Sequence, residues 1–150
     1  MSEQESRPLI VVGVDGSVSA MAALRWAAQQ ARLINADIHA VTGWEIPITI
    51  MIVPTYTEED YARDARQLLD RTVTEALGPA PGVHLEKHLV QERPALALCH
   101  AAEAAQLLVV GSHKGALPGM HLGSVASYCV HHAPCPVVVV RGQQGGTPTS

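Results

Sequence analysis

Two hydrophobic rhythms alternate along this chain. Short continuous apolar runs at residues 9–14, 107–110 and 137–140 have the length and β-branched content of strands buried on both faces. Residues 37–43 and the alternating stretch 83–90 read as two more strands. Between the strands the period lengthens. Ala20, Leu24, Ala27 and Ala31 recur at steps of three and four while Arg25, Gln29 and Arg32 form the opposite stripe. Residues 17–33 therefore read as an amphipathic helix that Ser17 or Ser19 can cap. Thr57-Glu58-Glu59-Asp60 opens a second helix with acids in its first turn, Tyr61, Ala65, Leu68, Thr72 and Ala76 supply its face, and Gly78-Pro79 ends it. Pro94 suits a first helical position and predicts a third helix over 95–104. A fourth runs from about Ser124 to His132 and is halted at Pro134.

Five strands alternating with four helices imply right-handed crossovers, hence a doubly wound α/β fold. The expected sheet is open and parallel, five strands in the order 3-2-1-4-5, with helices on both faces. Ligands of such sheets bind beyond the carboxyl ends of neighbouring strands whose connections leave for opposite faces. With the first and fourth strands as those neighbours, Asp15-Gly16-Ser17 faces the loop that begins at Gly111. That loop is rich in glycine and runs into a helix start at Gly123-Ser124. Unpaired N–H groups and the positive end of a helix dipole suit an anion, so the pattern points to phosphate.

Composition narrows this further. With 3% aromatic residues and no Phe, the core must be built from Val, Leu, Ile and Ala, which suits a parallel sheet covered on both sides. A length of 150 residues fits one globular domain, expected over 9–141, with a flexible start at 1–8 and a disordered tail at 142–150. Ten Lys and Arg against a net charge of −4, with no basic run, argue against nucleic acid. No apolar stretch approaches the roughly 20 residues of a membrane span, and MSEQESRP is no signal peptide, so a cytoplasmic protein is expected. Cys99, Cys129 and Cys135 are odd in number and scattered, which favours reduced thiols.

Several chemistries are missing. No Gly-Lys-Ser/Thr phosphate loop, no Gly-x-Gly-x-x-Gly after the first strand and no Gly-x-Ser-x-Gly elbow is present. The eight histidines include no His-Glu-x-x-His pattern that would mark a metalloprotease helix. Cys129, His131, His132 and Cys135 are close enough in sequence for zinc, although His131 and His132 also read as cations at a helix carboxyl end. His113 and His121 flank the glycine loop, either as solvated side chains or as phosphate contacts. The stretch 44–56 is unusually apolar for a connection, and can fold over a ligand, bury itself in a partner or pack on its own domain.

VVGVDGS at 11–17, the helix after it, RPALAL before LLVVGS, and GSVASYCVHHAPCPVVVVR together resemble the universal stress protein family over residues 10–141. The resemblance implies an adenine nucleotide alpha hydrolase-like, flavodoxin-like domain that works as a homodimer. One branch of the family binds ATP and another binds no nucleotide. The binding branch carries Gly, two residues, Gly, nine residues, Gly, then Ser or Thr. Here Gly111 and Gly123-Ser124 match the ends, Lys114 replaces the middle Gly, and the spacing is one residue short. Gly115 and Gly119 can then take over the close backbone approach, with Lys114 offering an ammonium.

By position, the resemblance assigns Val14, Asp15, Gly16 and Ser17 to base, ribose and metal-bound phosphate, with Asp15 meeting Mg²⁺ through the nucleotide. It assigns Val41 to the adenine edge, and Val110, Gly111, Gly123, Ser124 and Val125 to ribose and phosphates. Gly123→Val is expected to clash with the ligand and spare the fold. The implied function is a stress-response module that binds ATP, AMP or another adenine nucleotide and dimerises through Val137, Val138, Val139 and Val140. The alternatives are a dimeric interaction protein that binds no nucleotide and a slow ATPase; no catalytic residue is assigned. Alanine-rich, lysine-poor usage and the VVVVR ending resemble actinobacterial, hence bacterial, members.

Overall fold

A computed structural model describes residues 7–47, 55–113 and 122–142. Strands β1 (Leu9–Gly13), β2 (Asp37–Trp44), β3 (Leu85–Gln91), β4 (Leu107–Gly111) and β5 (Val137–Val140) alternate with helices α1 (Val18–Ile34), α2 (Glu58–Leu77), α3 (Pro94–Ala101) and α4 (Ser124–His132). All neighbouring strands are parallel, in the order β3-β2-β1-β4-β5. The sequence pattern thus predicts class and order correctly. It misplaces β3, which begins two residues later than expected, and the third helix, which tightens into a 3-10 turn at Ala102–Ala104. Lys114, Gly115, Gly119, His121, most of the apolar 44–56 stretch and nearly all of the tail lie outside the described residues.

Period-two alternation divides the core between the two sheet faces. Ile10, Val12, Ile38, Ala40 and Val109 join Leu24, Ala27, Leu69 and Val73 from α1 and α2 on one side. Val11, Val41, Leu108 and Val110 meet Leu98 of α3 and Ala126 and Cys129 of α4 on the other. The small alanine face of α1, with Ala20, Ala23, Ala27, Ala28 and Ala31 all essentially buried, lets the helix lie close to the strands.

Each helix start has its own chemistry. Ser17 caps α1, its Oγ accepting the Ala20 N–H at 3.1 Å. Thr57 and Asp60 form a reciprocal capping box at α2. The N-terminus of α4 has Gly123 at the cap position and no side-chain cap.

Removing the α2 cap with Thr57→Ala should lower stability by about 1 kcal/mol in chemical denaturation. The Thr57 backbone N–H, then its hydroxyl, hold the Asp60 carboxyl below its ordinary value. A depressed carboxyl stabilises the fold above its unfolded pKa and loses that contribution as pH falls through the folded one. The stability difference between the native chain and Asp60→Asn should therefore shrink on acidification below the ordinary carboxylate range.

Candidate functional site

Strands β1 and β4 are neighbours, with Ile10 opposite Leu107 and Val12 opposite Val109. The chain leaves β1 for α1 on one face and β4 for α4 on the other. A cleft of about 190 Å³ opens between these departures, at the carboxyl ends of β1, β2 and β4. Of the residues singled out in the sequence, Val14, Asp15, Val41, Val110, Gly111, Gly123, Ser124 and Val125 line it. Gly16 and Ser17 do not. The cleft also takes in His113, expected as a solvated side chain or a phosphate contact, and Gly13, Ala20, Gly43, Pro94, Leu98, Ser112 and Ala126, to which sequence reasoning assigned no ligand role.

Its walls are chiefly aliphatic, with polarity concentrated at the two departing turns. Val14 is clamped in place, its N–H donating to the Val41 carbonyl and its carbonyl accepting the Thr42 hydroxyl, both at 2.9 Å. Those groups are occupied, so Val14 offers the cleft its side chain. Asp15 is exposed at the rim, and its Oδ1 accepts the Ser17 N–H at 2.9 Å. The carboxylate thus fixes its own turn. No other hydrogen bond to it is present among the described residues.

The β4 exit is tied to the start of α1. His113 N–H donates to Ser19 Oγ at 3.0 Å, and Ser19 Oγ lies 3.2 Å from Ser17 Oγ. Ser112 N–H bonds the Val140 carbonyl, and its own carbonyl accepts the Gly123 N–H at 2.8 Å. A Cβ on Gly111 would lie 2.6 Å from the Ser19 carbonyl carbon and 2.7 Å from the Ala20 nitrogen. Gly111 is therefore required for helix–strand packing, whatever ligand binds. His113 sits at φ 28°, in left-handed territory that a side chain normally avoids. A non-glycine residue there marks a strained turn at the cleft mouth.

One expectation needs correction. A Cβ on Gly123 would overlap the His113 carbonyl, so Gly123→Val would disrupt the turn and would not spare the fold. Ser124 is the first residue inside α4, one step past the cap, so its hydroxyl is not the helix cap. The Ser124, Val125 and Ala126 N–H groups precede the first intrahelical donor, Ser127 N–H to Gly123 carbonyl. All three residues line the cleft.

The proposed cluster of Cys129, His131, His132 and Cys135 is not assembled. His131 and His132 turn their Nδ1 atoms to the Ser127 and Tyr128 carbonyls at 2.8 and 3.0 Å, which gives each Nδ1 the proton. Cys129 is fully buried, and burial, then Cys99, pushes its thiol up to about 12. All three cysteines are free.

A family profile described as "Universal stress protein family" matches residues 8–141. A universal stress protein of Mycolicibacterium smegmatis is 36% identical over 89% of this chain and 48% of its own length. The chain thus spans about half the length of the curated relatives it matches. Among solved structures, a universal stress protein in complex with cAMP is 26% identical at a TM-score of 0.62, covering 91% of this chain and 98% of that one. The universal stress protein from Archaeoglobus fulgidus in complex with dAMP is 25% identical at 0.60, covering 89% and 97%. The chain belongs to the universal stress protein family.

Gly111→Ala should destabilise the fold by about 1–3 kcal/mol through overpacking against α1. Thermal or denaturant unfolding of the isolated variant, without ligand, measures this directly.

Proposed function

We propose that this universal stress protein chain binds an adenine nucleotide in the cleft between β1 and β4 and serves as a regulatory module. The observation that carries the reading is the uncapped α4 N-terminus. Ser17 and Thr57 each cap one early N–H of α1 and α2, and α3, also without a side-chain cap, opens on Pro94, which has no N–H, whereas α4 presents Ser124, Val125 and Ala126 to the cleft. Backbone donors at the positive end of a helix dipole favour a phosphate. The relatives bound to cAMP and dAMP support the adenine class.

Shape suggests the orientation. A volume of about 190 Å³ is below the roughly 300–1,000 Å³ of pockets that enclose a whole drug-sized ligand. The apolar floor of Val14, Val41 and Val110 would take the base, and the phosphates would lie at the mouth along α4. Asp15 would repel a bare phosphate, but it can accept from ribose hydroxyls or hold Mg²⁺ arriving with ATP. In that role the ion would screen phosphate charge. Val110, Gly111 and Gly123 would shape the wall, while Gly16 and Ser17 would hold the Asp15 turn without entering the cleft.

The proposal includes a homodimer. Strand β5 lies at the sheet edge with its four valines half-buried, and an edge strand carries unpaired N–H and carbonyl groups that a second copy can meet. Light scattering should return about twice the 15.9 kDa chain mass.

Calorimetric titration of the nucleotide-stripped chain with AMP, cAMP and Mg²⁺-ATP tests the binding. Ser124→Pro removes one cleft donor while suiting the first helical position, because Gly123 at ψ 171° already has the extended backbone that precedes proline. It should lower nucleotide affinity by about tenfold, the worth of one charge-assisted hydrogen bond, without lowering stability. Asp15→Asn keeps an oxygen for the Ser17 N–H and should abolish the affinity gained from Mg²⁺ while leaving metal-free binding equal or tighter. No heat with any adenine nucleotide would remove the nucleotide reading in favour of an interaction module acting through β5.

A further inference from the structure

The far edge of the sheet carries a second constellation. Parallel pairing sets His39 of β2 opposite Glu86 of β3 and Val41 opposite His88. Paired positions share a face, and His84, Glu86 and His88 follow at steps of two, so all four polar side chains stand on the α3/α4 side of the sheet. That part of the face is left open: the His39, Glu86 and His88 side chains are 25%, 50% and 39% exposed.

The groups converge. The His39 and His88 rings stack with centroids 4.3 Å apart. Both Nε2 atoms approach Glu86 Oε1, at 3.4 and 3.0 Å. One ligand atom from each of the three residues lies within 4.8 Å of the others. His84 Nε2 stands 3.4 Å from the other carboxylate oxygen, Oε2.

We propose that His39, Glu86 and His88 form a binding site for a divalent first-row transition ion of the borderline class, Zn²⁺, Ni²⁺ or Cu²⁺. Ligand atoms about 2.0–2.2 Å from a tetrahedral ion stand roughly 3.4 Å from one another, close to the two separations observed. Two imidazoles with a single carboxylate select this class over Mg²⁺ or Ca²⁺, which prefer all-oxygen shells. Water completes the sphere from the exposed side. His84 acts on the opposite carboxylate oxygen as a positioning residue, the role carboxylate partners commonly play around metal ligands.

Two further features fit. Burial, then the neighbouring His88, lowers the His39 pKa. Hydrogen bonds from His88, then His84, hold the Glu86 carboxyl below its ordinary value. Lys87, between the ligands in sequence, points to the other face and pairs with Asp70 at 2.8 Å, so no cation from β3 competes at the site.

The test uses the full chain stripped with chelator. Zn²⁺ is titrated by calorimetry and Co²⁺, as a spectroscopic substitute, by visible absorption. One ion per chain is expected, with a nitrogen and oxygen spectrum free of thiolate charge transfer. His39→Ala and His88→Ala should each weaken binding at least about tenfold, His84→Ala by roughly tenfold, and Glu86→Gln substantially. His131→Ala should change nothing. Metal-free unfolding of the variants checks the fold, and half-exposed His88→Gln serves if His39→Ala fails to fold. Unchanged affinity in the His88 variants, a thiolate band, or loss in His131→Ala instead would overturn the assignment.

Discussion

The pairing of β1 with β4 governs the rest of the molecule. Two parallel strands side by side would ordinarily send their connections to the same side. Here α1 packs against Ile10, Val12 and Val109, while α4 packs against Val11, Leu108 and Val110. The backbone must part at the carboxyl end of this pair, and no helix can fill the gap. A cleft is thus a consequence of topology. Its dimensions are set by how tightly the two exits are tied, through Ser19 to His113 and through Ser112 to Gly123.

Those ties also explain the electrostatics. The two described ends of the connection after β4 spend their Ser112, His113 and Gly123 N–H groups on protein acceptors. Among the described residues of this connection, the donors left are those at the start of α4, where glycine supplies no capping oxygen. The start of α4 and the separately anchored Asp15 both line this one crevice.

Much of this was legible in the sequence because strand runs and helix periods were strongly marked, and parallel crossovers have one hand. Leu9 to Val14 and Val137 to Val140 could hardly be anything but strands, although β5, at the sheet edge, is half-buried and not buried on both faces as its apolar run suggests. Helix ends were readable where Ser17 or Thr57 supplied a cap, and less so around Ala95 to Ala104, where alanine permits both α and 3-10 geometry. Gly111 and Gly123 were read as ligand contacts, yet their close neighbours are Ser19 and His113, a packing demand that only the fold reveals. Ser19 and Pro94 read only as helix-start residues, and Leu98 carried no signal of the cleft. His84, Glu86 and His88 carry a readable signal, two histidines four apart with an acid between them at strand spacing, but His39 joins them only through the β2–β3 register.

Backbone amide shifts during an AMP titration bear most directly on the cleft. The account predicts that the largest changes fall on Ser124, Val125 and Ala126, with smaller ones at Asp15 and Val41, and that His39 and His88 stay still. Saturating AMP with no movement at the α4 start, or with changes centred elsewhere on the sheet, would contradict it.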